Sequence, residues 1–362
     1  MDSIVNAAIQ HGRQDKKANE AVDELDHLKI VVLGTGGAGN NTINRLQHIG
    51  LEGAEMIAVN TDKQDLQKLS GNITKIVIGA KLTRGLGAGG FPEIGEKAAE
   101  ASRHELSEIL AGTHLLFLTC GMGGGTGTGS APVIAEIAKD EGAIVVSIVT
   151  FPFDLERSRL NKAREGIEKL RRVSDTVIII DNNKLVQYVP NLPLDKAFSV
   201  ADEVVARAVK GITETIMEPS LMNIDFADIR AILNNGDVAV ISVGEAEGPN
   251  RVEKAVENTL KQPLLDVDYK DSTGALIHIT GGEDLTLGEA NKVGELITKN
   301  LRPDATVKWG SRINTQLHDK IEIIAILTGV KSPNVVGKSR VSGKGIIYTQ
   351  EFENWGGELR DV

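Results

Sequence analysis

The chain has 362 residues, 41% hydrophobic and 25% charged, which is ordinary for a soluble protein long enough to hold two domains with their own cores. Its 40 basic and 50 acidic residues leave a formal net charge of −10, which argues against non-specific nucleic-acid binding, and 3% aromatics offer no base-stacking platform. The single cysteine, Cys120, excludes an intrachain disulfide, and no stretch reads as a signal peptide or a transmembrane span, so a cytosolic protein without direct membrane insertion is expected.

In residues 1–28, Ala18, Ala21, Val22, Leu25 and Leu28 fall at helical spacing and predict an appended helix. A shorter apolar cluster, Ile4, Val5, Ala8 and Ile9, precedes it. Lys29–Leu33 reads as a strand, followed by Gly34-Thr-Gly-Gly-Ala-Gly39 and a helical pattern from Asn40. This matches Gly-x-Gly-x-x-Gly in a strand–loop–helix setting, and the next strand, Met56–Val59, leads to Asn60-Thr61-Asp62 with an acid where a ribose could meet it. An NAD-dependent oxidoreductase therefore stays open at this point. A second glycine loop, Arg84–Gly90, follows the strand Lys75–Ile78, with Pro92 suited to the first turn of a helix.

The most informative stretch is Cys120-Gly-Met-Gly-Gly-Gly-Thr-Gly-Thr-Gly129, between the apolar run Leu115–Thr119 and a helical pattern over Ser130–Asp140. Six glycines in ten residues build no core, but they let consecutive backbone N–H groups converge on an anion at a helix start. The loop has no lysine, so it is not the Gly-x-x-x-x-Gly-Lys-Ser/Thr phosphate loop; Thr126 and Thr128 supply hydroxyls instead. Cys120 reads as a small core residue. Three such loops, each between strand and helix, predict one phosphate site at one edge of a parallel sheet.

Strands at Ala143–Val149 and Thr176–Ile180, with a helix near Leu155–Arg172, continue a doubly wound α/β rhythm. Leu194–Met217 carries Ala201, Val204, Val205, Ala208, Ile212 and Ile216 at helical spacing and stops at Pro219, a long helix joining two domains. Strands near 238–243, 275–280, 306–309 and 321–328, with helices near 250–261 and 286–300, form a second, smaller α/β domain. Asn223-Ile-Asp-Phe-Ala-Asp228 places two carboxylates at a helix start, Asp225 at the N-cap and Asp228 at the third position. The division is an extension 1–28, a nucleotide domain 29–196, a linking helix 197–218, a domain 219–330 and a tail 331–362.

Gly-Gly-Gly-Thr-Gly-Thr-Gly between strand and helix, with the acidic motif after a long helix, resembles the tubulin/FtsZ family, in the archaeal form of its cell-division members, over roughly residues 29–330. The resemblance implies a GTPase domain with a doubly wound, mainly parallel sheet, binding GTP or GDP with Mg²⁺ held mainly by the phosphates; a monovalent cation is a second candidate. By it, Gly37, Ala38, Gly39, Asn40 and Asn41 hold phosphates, with Asn60 and Asp62 near the phosphate and metal region. Ala88 and Gly89 approach the γ-phosphate, and Gly123, Gly124, Gly125, Thr126 and Gly127 form the main phosphate loop. Glu156 and Arg159 contact the sugar, although Glu156-Arg-Ser-Arg159 is one residue shorter than the family spacing and leaves Arg157 as an alternative. Asn182 and Asp202 read guanine, and Phe198 stacks on it. Asp225, Asp228 and Asn223 act on the GTP of the next subunit in a head-to-tail filament. The partners implied are other copies of the chain and, through the tail, membrane-anchor and division proteins, at the division site in the cytoplasm; a relative serving cell shape is the alternative.

Overall fold

The computed structural model describes residues 28–184, 191–217, 226–233, 238–261, 269, 272–299, 301–315 and 317–330. The helix expected before residue 28, the tail 331–362, and Asn223 and Asp225 lie outside the described residues. Six strands, β1 (Ile30–Thr35), β2 (Glu55–Asn60), β3 (Thr74–Val77), β4 (Leu115–Gly121), β5 (Ile144–Phe151) and β6 (Thr176–Asp181), form a sheet in the order β3-β2-β1-β4-β5-β6. Every pairing is parallel. β1 and β6 are buried at every position, which is why they read as unbroken apolar runs and not as alternating ones.

The connecting helices are α1 (Gly36–Ile49), α2 (Lys63–Gln67), α3 (Ala80–Thr83), α4 (Pro92–Ala101), α5 (Arg103–Leu110), α6 (Thr126–Asp140) and α7 (Arg157–Val173). β1 lies between β2 and β4, so the winding reverses there, and the carboxyl ends of β1 and β4 flank the crevice that such a reversal leaves. Two local expectations need correction. The short α3 stands between β3 and the loop 84–90, so that loop does not follow its strand directly. Helix α6 starts at Thr126 instead of Ser130, taking in two glycines that cost roughly 1 kcal/mol each relative to alanine. Packing explains this: a Cβ on Gly129 would lie 1.9 Å from the Pro92 carbonyl oxygen, so α6 and α4 meet only because glycine is there.

Helix α8 (Leu194–Met217) buries Ala201, Val205, Val209, Ile212 and Ile216 along one stripe. It leans on α1 through the Arg45–Glu203 ion pair and through Lys210, whose Nζ donates to the Ile49 carbonyl at 3.0 Å. Its other side meets a second sheet of β7 (Ala239–Glu247), β8 (Gly274–Gly281), β9 (Thr306–Ile313) and β10 (Lys320–Thr328), in the order β7-β10-β8-β9. β10 is antiparallel to β7 and β8, while β8 and β9 are parallel. Helices α10 (Arg251–Leu260) and α11 (Leu287–Thr298) belong to this unit, the latter opened by a capping box between Thr286 and Glu289.

Helix α9 (Phe226–Leu233) packs at the amino ends of the first sheet. The Phe226 ring meets His114, just before β4, edge-on at 6.3 Å, and Thr176, the first residue of β6, donates from Oγ1 to the Leu233 carbonyl at 3.0 Å. Asp228 is the third residue of this helix, as expected. No helix among the described residues is long and apolar enough to cross a membrane.

Candidate nucleotide site

The three glycine loops touch one another through their backbones. Gly36, at φ +71°, opens α1, and a Cβ there would lie 2.9 Å from the Gly127 nitrogen. On the other side of the main loop, a Cβ on Gly125 would lie 2.8 Å from the Ala88 Cβ and 2.9 Å from the Phe91 nitrogen. Hydroxyls brace the same region: Thr61 and Thr126 share a 2.6 Å hydrogen bond, as do Thr35 and Ser130. The result is a cleft of about 1560 Å³ at the carboxyl ends of the strands.

Of the residues the sequence singled out, Gly37, Ala38, Asn41, Asn60, Asp62, Gly89, Gly124, Gly125, Thr126, Gly127, Glu156, Arg159, Asn182, Phe198 and Asp202 line this cleft. Four others stand behind its wall. Gly39 packs its backbone on the Thr119 carbonyl, Asn40 is buried with both side-chain polar atoms lacking a partner among the described residues, and Ala88 is buried beneath Gly125. Gly123 backs onto Arg159 and donates its N–H to Thr128 Oγ1 at 2.9 Å, so Thr128 braces the loop from inside. Asp62 does more than face the cleft: its Oδ1 caps α2 by accepting from the Gln64 nitrogen at 2.8 Å. Asp228 is not in the cleft, because α9 lies at the other end of the strands.

At the far end from the phosphate loops, Asp202 accepts from Thr42 Oγ1 at 3.2 Å, and burial pushes its carboxyl up to about 6. Seen in sequence alone it resembles an exposed helix residue; the fold encloses it against α1. Asn182 is buried with its Oδ1 unpartnered among the described residues. Phe198 is 39% exposed, rests edge-on against Phe153 at 5.6 Å and lines the cleft. A half-buried carboxylate, an orphaned amide oxygen and an exposed aromatic ring are what a base carrying N–H donors would complete, so the residues fit guanine. Glu156 stands at the N-cap position of α7 and holds Arg159 at 2.6 Å. Arg159, and not Arg157, lines the cleft.

The sequence reading missed Asn44, Arg45 and His48, which line the cleft with Asn41. Their spacing of i, i+3, i+4 and i+7 was the available signal. A solvated helix face produces the same polar stripe. Asp65, within 3.8 Å of where a Gly37 side chain would begin, also lines the phosphate side. Cys120 is fully buried beneath the loop, and burial alone pushes its thiol up to about 12, consistent with a core residue.

Residues 29–190 match the model of the Tubulin/FtsZ family GTPase domain, and residues 237–331 that of the FtsZ family C-terminal domain. The chain is 62% identical over 319 residues to cell division protein FtsZ 2 of Methanocaldococcus jannaschii, covering 87% of this chain and 84% of that one. It is 50% identical to cell division protein FtsZ 2 of Halobacterium salinarum, with 94% and 87% covered. A solved structure described as an empty FtsZ dimer from M. jannaschii superposes with a TM-score of 0.80 at 46% identity, covering 91% of this chain and all of that one. Three loops sharing one cleft, in a chain with these relatives, leave the dinucleotide reading of Gly34–Gly39 without support. The chain belongs to the tubulin-like GTPase family, among the archaeal FtsZ cell-division proteins.

Proposed function

We propose that this chain polymerises head to tail on binding GTP, and that hydrolysis occurs where the acidic helix of one subunit meets the cleft of the next. The observation that carries this reading is the separation of the two halves of the site. The glycine loops sit at the carboxyl ends of the strands and α9 at the amino ends, a strand length of about 20 Å apart. Asp228 therefore cannot serve its own cleft, whereas a translated copy would bring it there. A heterologous contact of this kind makes open filaments.

The mouth of the cleft supports a protein partner. Among the described residues, seven large apolar side chains are exposed; Leu86, Leu155, Leu192 and Phe198 line the cleft, while Leu82 and Phe91 flank the loop 84–90. Only Leu287 stands elsewhere. Such a concentration around a polar opening marks an interaction surface.

In this reading the backbone N–H groups of Gly37, Ala38 and Gly124–Gly127 hold the phosphates, Asn182 and Asp202 select guanine, Phe198 stacks on it, and Glu156 and Arg159 steady the sugar. Mg²⁺, when bound to the triphosphate, neutralises charge that no lysine of the loop can meet, with Asp62 and Asp65 the carboxylates on that side to receive it. From the neighbour, Asp225 and Asp228 orient the attacking water and Asn223 helps to place it. Loss of phosphate weakens the contact and couples turnover to disassembly. The names of the relatives support a role in the division ring, in the cytoplasm beneath the membrane, with the tail 331–362 reaching anchor and division proteins.

The test is the GTPase rate per subunit against protein concentration, with Mg²⁺, while light scattering is followed. A rate near zero below a threshold that rises together with scattering is the expected result. A rate independent of concentration without scattering would mean a self-contained nucleotidase. Asp225→Ala should abolish turnover while GTP binding stays nearly intact.

A further inference from the structure

We propose that Lys308 enters the next subunit's cleft together with Asp228 and supplies there a positive charge beyond the cleft's own two arginines. The inference rests on the head-to-tail reading above and adds a cationic side chain to the three that reading assigns to the neighbour.

The cleft is short of positive charge. Among the described residues its lining includes Asp62, Asp65, Glu156 and Asp202, against Arg45 and Arg159, and no lysine. Both guanidiniums are already matched within the chain, Arg45 by Glu203 and Arg159 by Glu156. A triphosphate brings several further negative charges into this setting. The backbone N–H groups of the glycine loops offer dipoles, not whole charges.

Lys308 lies on the opposite face. Its Nζ is 2.7 Å from Asp228 Oδ1, with the lysine side chain 43% exposed and the aspartate 27%. It stands on β9, the edge strand of the second sheet, so a neighbour can approach it without breaking a strand pairing. The other cations near α9 are held elsewhere: Arg230 lies over the Phe226 ring at 5.8 Å, and Arg312 faces Glu214 at 3.7 Å. An element that carries Asp228 into a neighbouring cleft therefore carries the Lys308 ammonium with it. A lysine suits the task, because its ammonium is a point charge that needs no fixed fork geometry to meet phosphate oxygens.

In the step itself, the water oxygen forms a bond to the γ-phosphorus as the bond to the β–γ bridging oxygen breaks, and GDP leaves with the electron pair. One proton of the water stays on the released phosphate and the other passes to solvent. Asp228 orients the water. Lys308 keeps its proton and donates hydrogen bonds to the terminal phosphate oxygens, offsetting the charge that gathers there.

The role can be separated from mere support of Asp228, because a cation on the terminal phosphate acts before hydrolysis. The assembly threshold of the full chain is measured by scattering with Mg²⁺ and a GTP analogue bearing a methylene bridge between the β and γ phosphorus atoms. Lys308→Met should raise this threshold about tenfold, toward that found with GDP, and lower turnover in saturated polymer by at least about tenfold. Lys308→Arg should restore the threshold to within about twofold of the native protein, and Asp228→Ala should leave it there too. Unchanged affinity of unassembled Lys308→Met for a fluorescent GTP analogue serves as the control for folding. Reduced turnover with an unchanged analogue threshold would confine Lys308 to its own chain's Asp228 and overturn the inference, as would a variant that matches the native protein in both. If the native protein neither assembles nor shows a concentration-dependent rate, the head-to-tail reading falls and takes this inference with it.

Discussion

The cleft and helix α9 sit at opposite ends of the same six strands, and they are built by different means. The cleft is a backbone structure: three loops approach until only glycine fits between them, and side chains come in mainly to brace them. Helix α9 is held by side chains from distant elements, His114 on Phe226, Thr176 on Leu233 and Lys308 on Asp228. A site fixed by backbone tolerates almost no substitution at its contact points. One fixed by individual side chains can lose a member and keep its fold. The two halves should therefore fail differently when altered.

The largest effect is expected where loop meets helix. Gly34→Val would set a Cβ 2.3 Å from the Gly39 carbonyl oxygen and 2.6 Å from Ile43 Cγ1. Overpacking of this kind costs about 3 kcal/mol or more, which should lower Tm by about 10 °C and remove nucleotide binding together with stability. A thermal scan with and without GDP checks both. At the other end, Asp228→Ala should lower turnover by about 10² to 10³ and change GTP affinity by less than about twofold, with Tm nearly unmoved. Equal losses of affinity and turnover would erase the distinction between the halves.

Asp202 sharpens the comparison, because it is the point where the cleft depends on a half-buried side chain. Its carboxyl, raised to about 6, holds a proton through the range from about 4 to 6 in which the unfolded chain has released it. The fold of the empty protein therefore loses stability as pH rises through that window, by about 2 to 3 kcal/mol in all. Guanine recognition needs the ionised form, so affinity for GTP should weaken as pH falls below about 6, by up to about tenfold per unit. Asp202→Asn should remove this pH dependence beyond that of the phosphates themselves, raise Tm at pH 7.5 and bind GTP poorly. Calorimetric titration at pH 5.5, 6.5 and 7.5 on both proteins decides it.

The smallest effect is expected at Lys162, which joins α7 to the loop 84–90 by donating to the Gly90 carbonyl at 2.8 Å and lying over the Phe91 ring at 5.5 Å. One net hydrogen bond and an exposed cation–π contact are each worth about 1 kcal/mol or less. Lys162→Met should raise the assembly threshold about threefold with turnover in saturated polymer unchanged. A shift in turnover instead of threshold would place the loop in the chemistry and not in the contact.

What could be read in the sequence follows the same division. The parallel strands were legible because burial on both faces leaves unbroken apolar runs, and α8 because its apolar stripe continues for about four turns. The glycine loops were legible because close backbone approach writes itself into residue identity. The start of α6 was not, since glycine signals a loop wherever its packing partner, here Pro92, is unseen. The enclosure of Asp202 depends on Thr42, 160 positions away, and the pairing of Asp228 on Lys308, 80 positions away; no local pattern records either. Asn44, Arg45 and His48 did carry a periodic signal, one that a solvated face produces equally well.

The buried thiol of Cys120 has a practical consequence. It is the sole cysteine in the chain, it lies beneath the main loop with no exposed surface, and its thiolate form is suppressed at neutral pH. Maleimide dyes and spin labels should pass over the native protein, so a cysteine introduced on any surface becomes the single address for a probe. Fluorophores placed in turn on either end of the six strands could then watch filaments grow one subunit at a time, with no background label and no native residue removed.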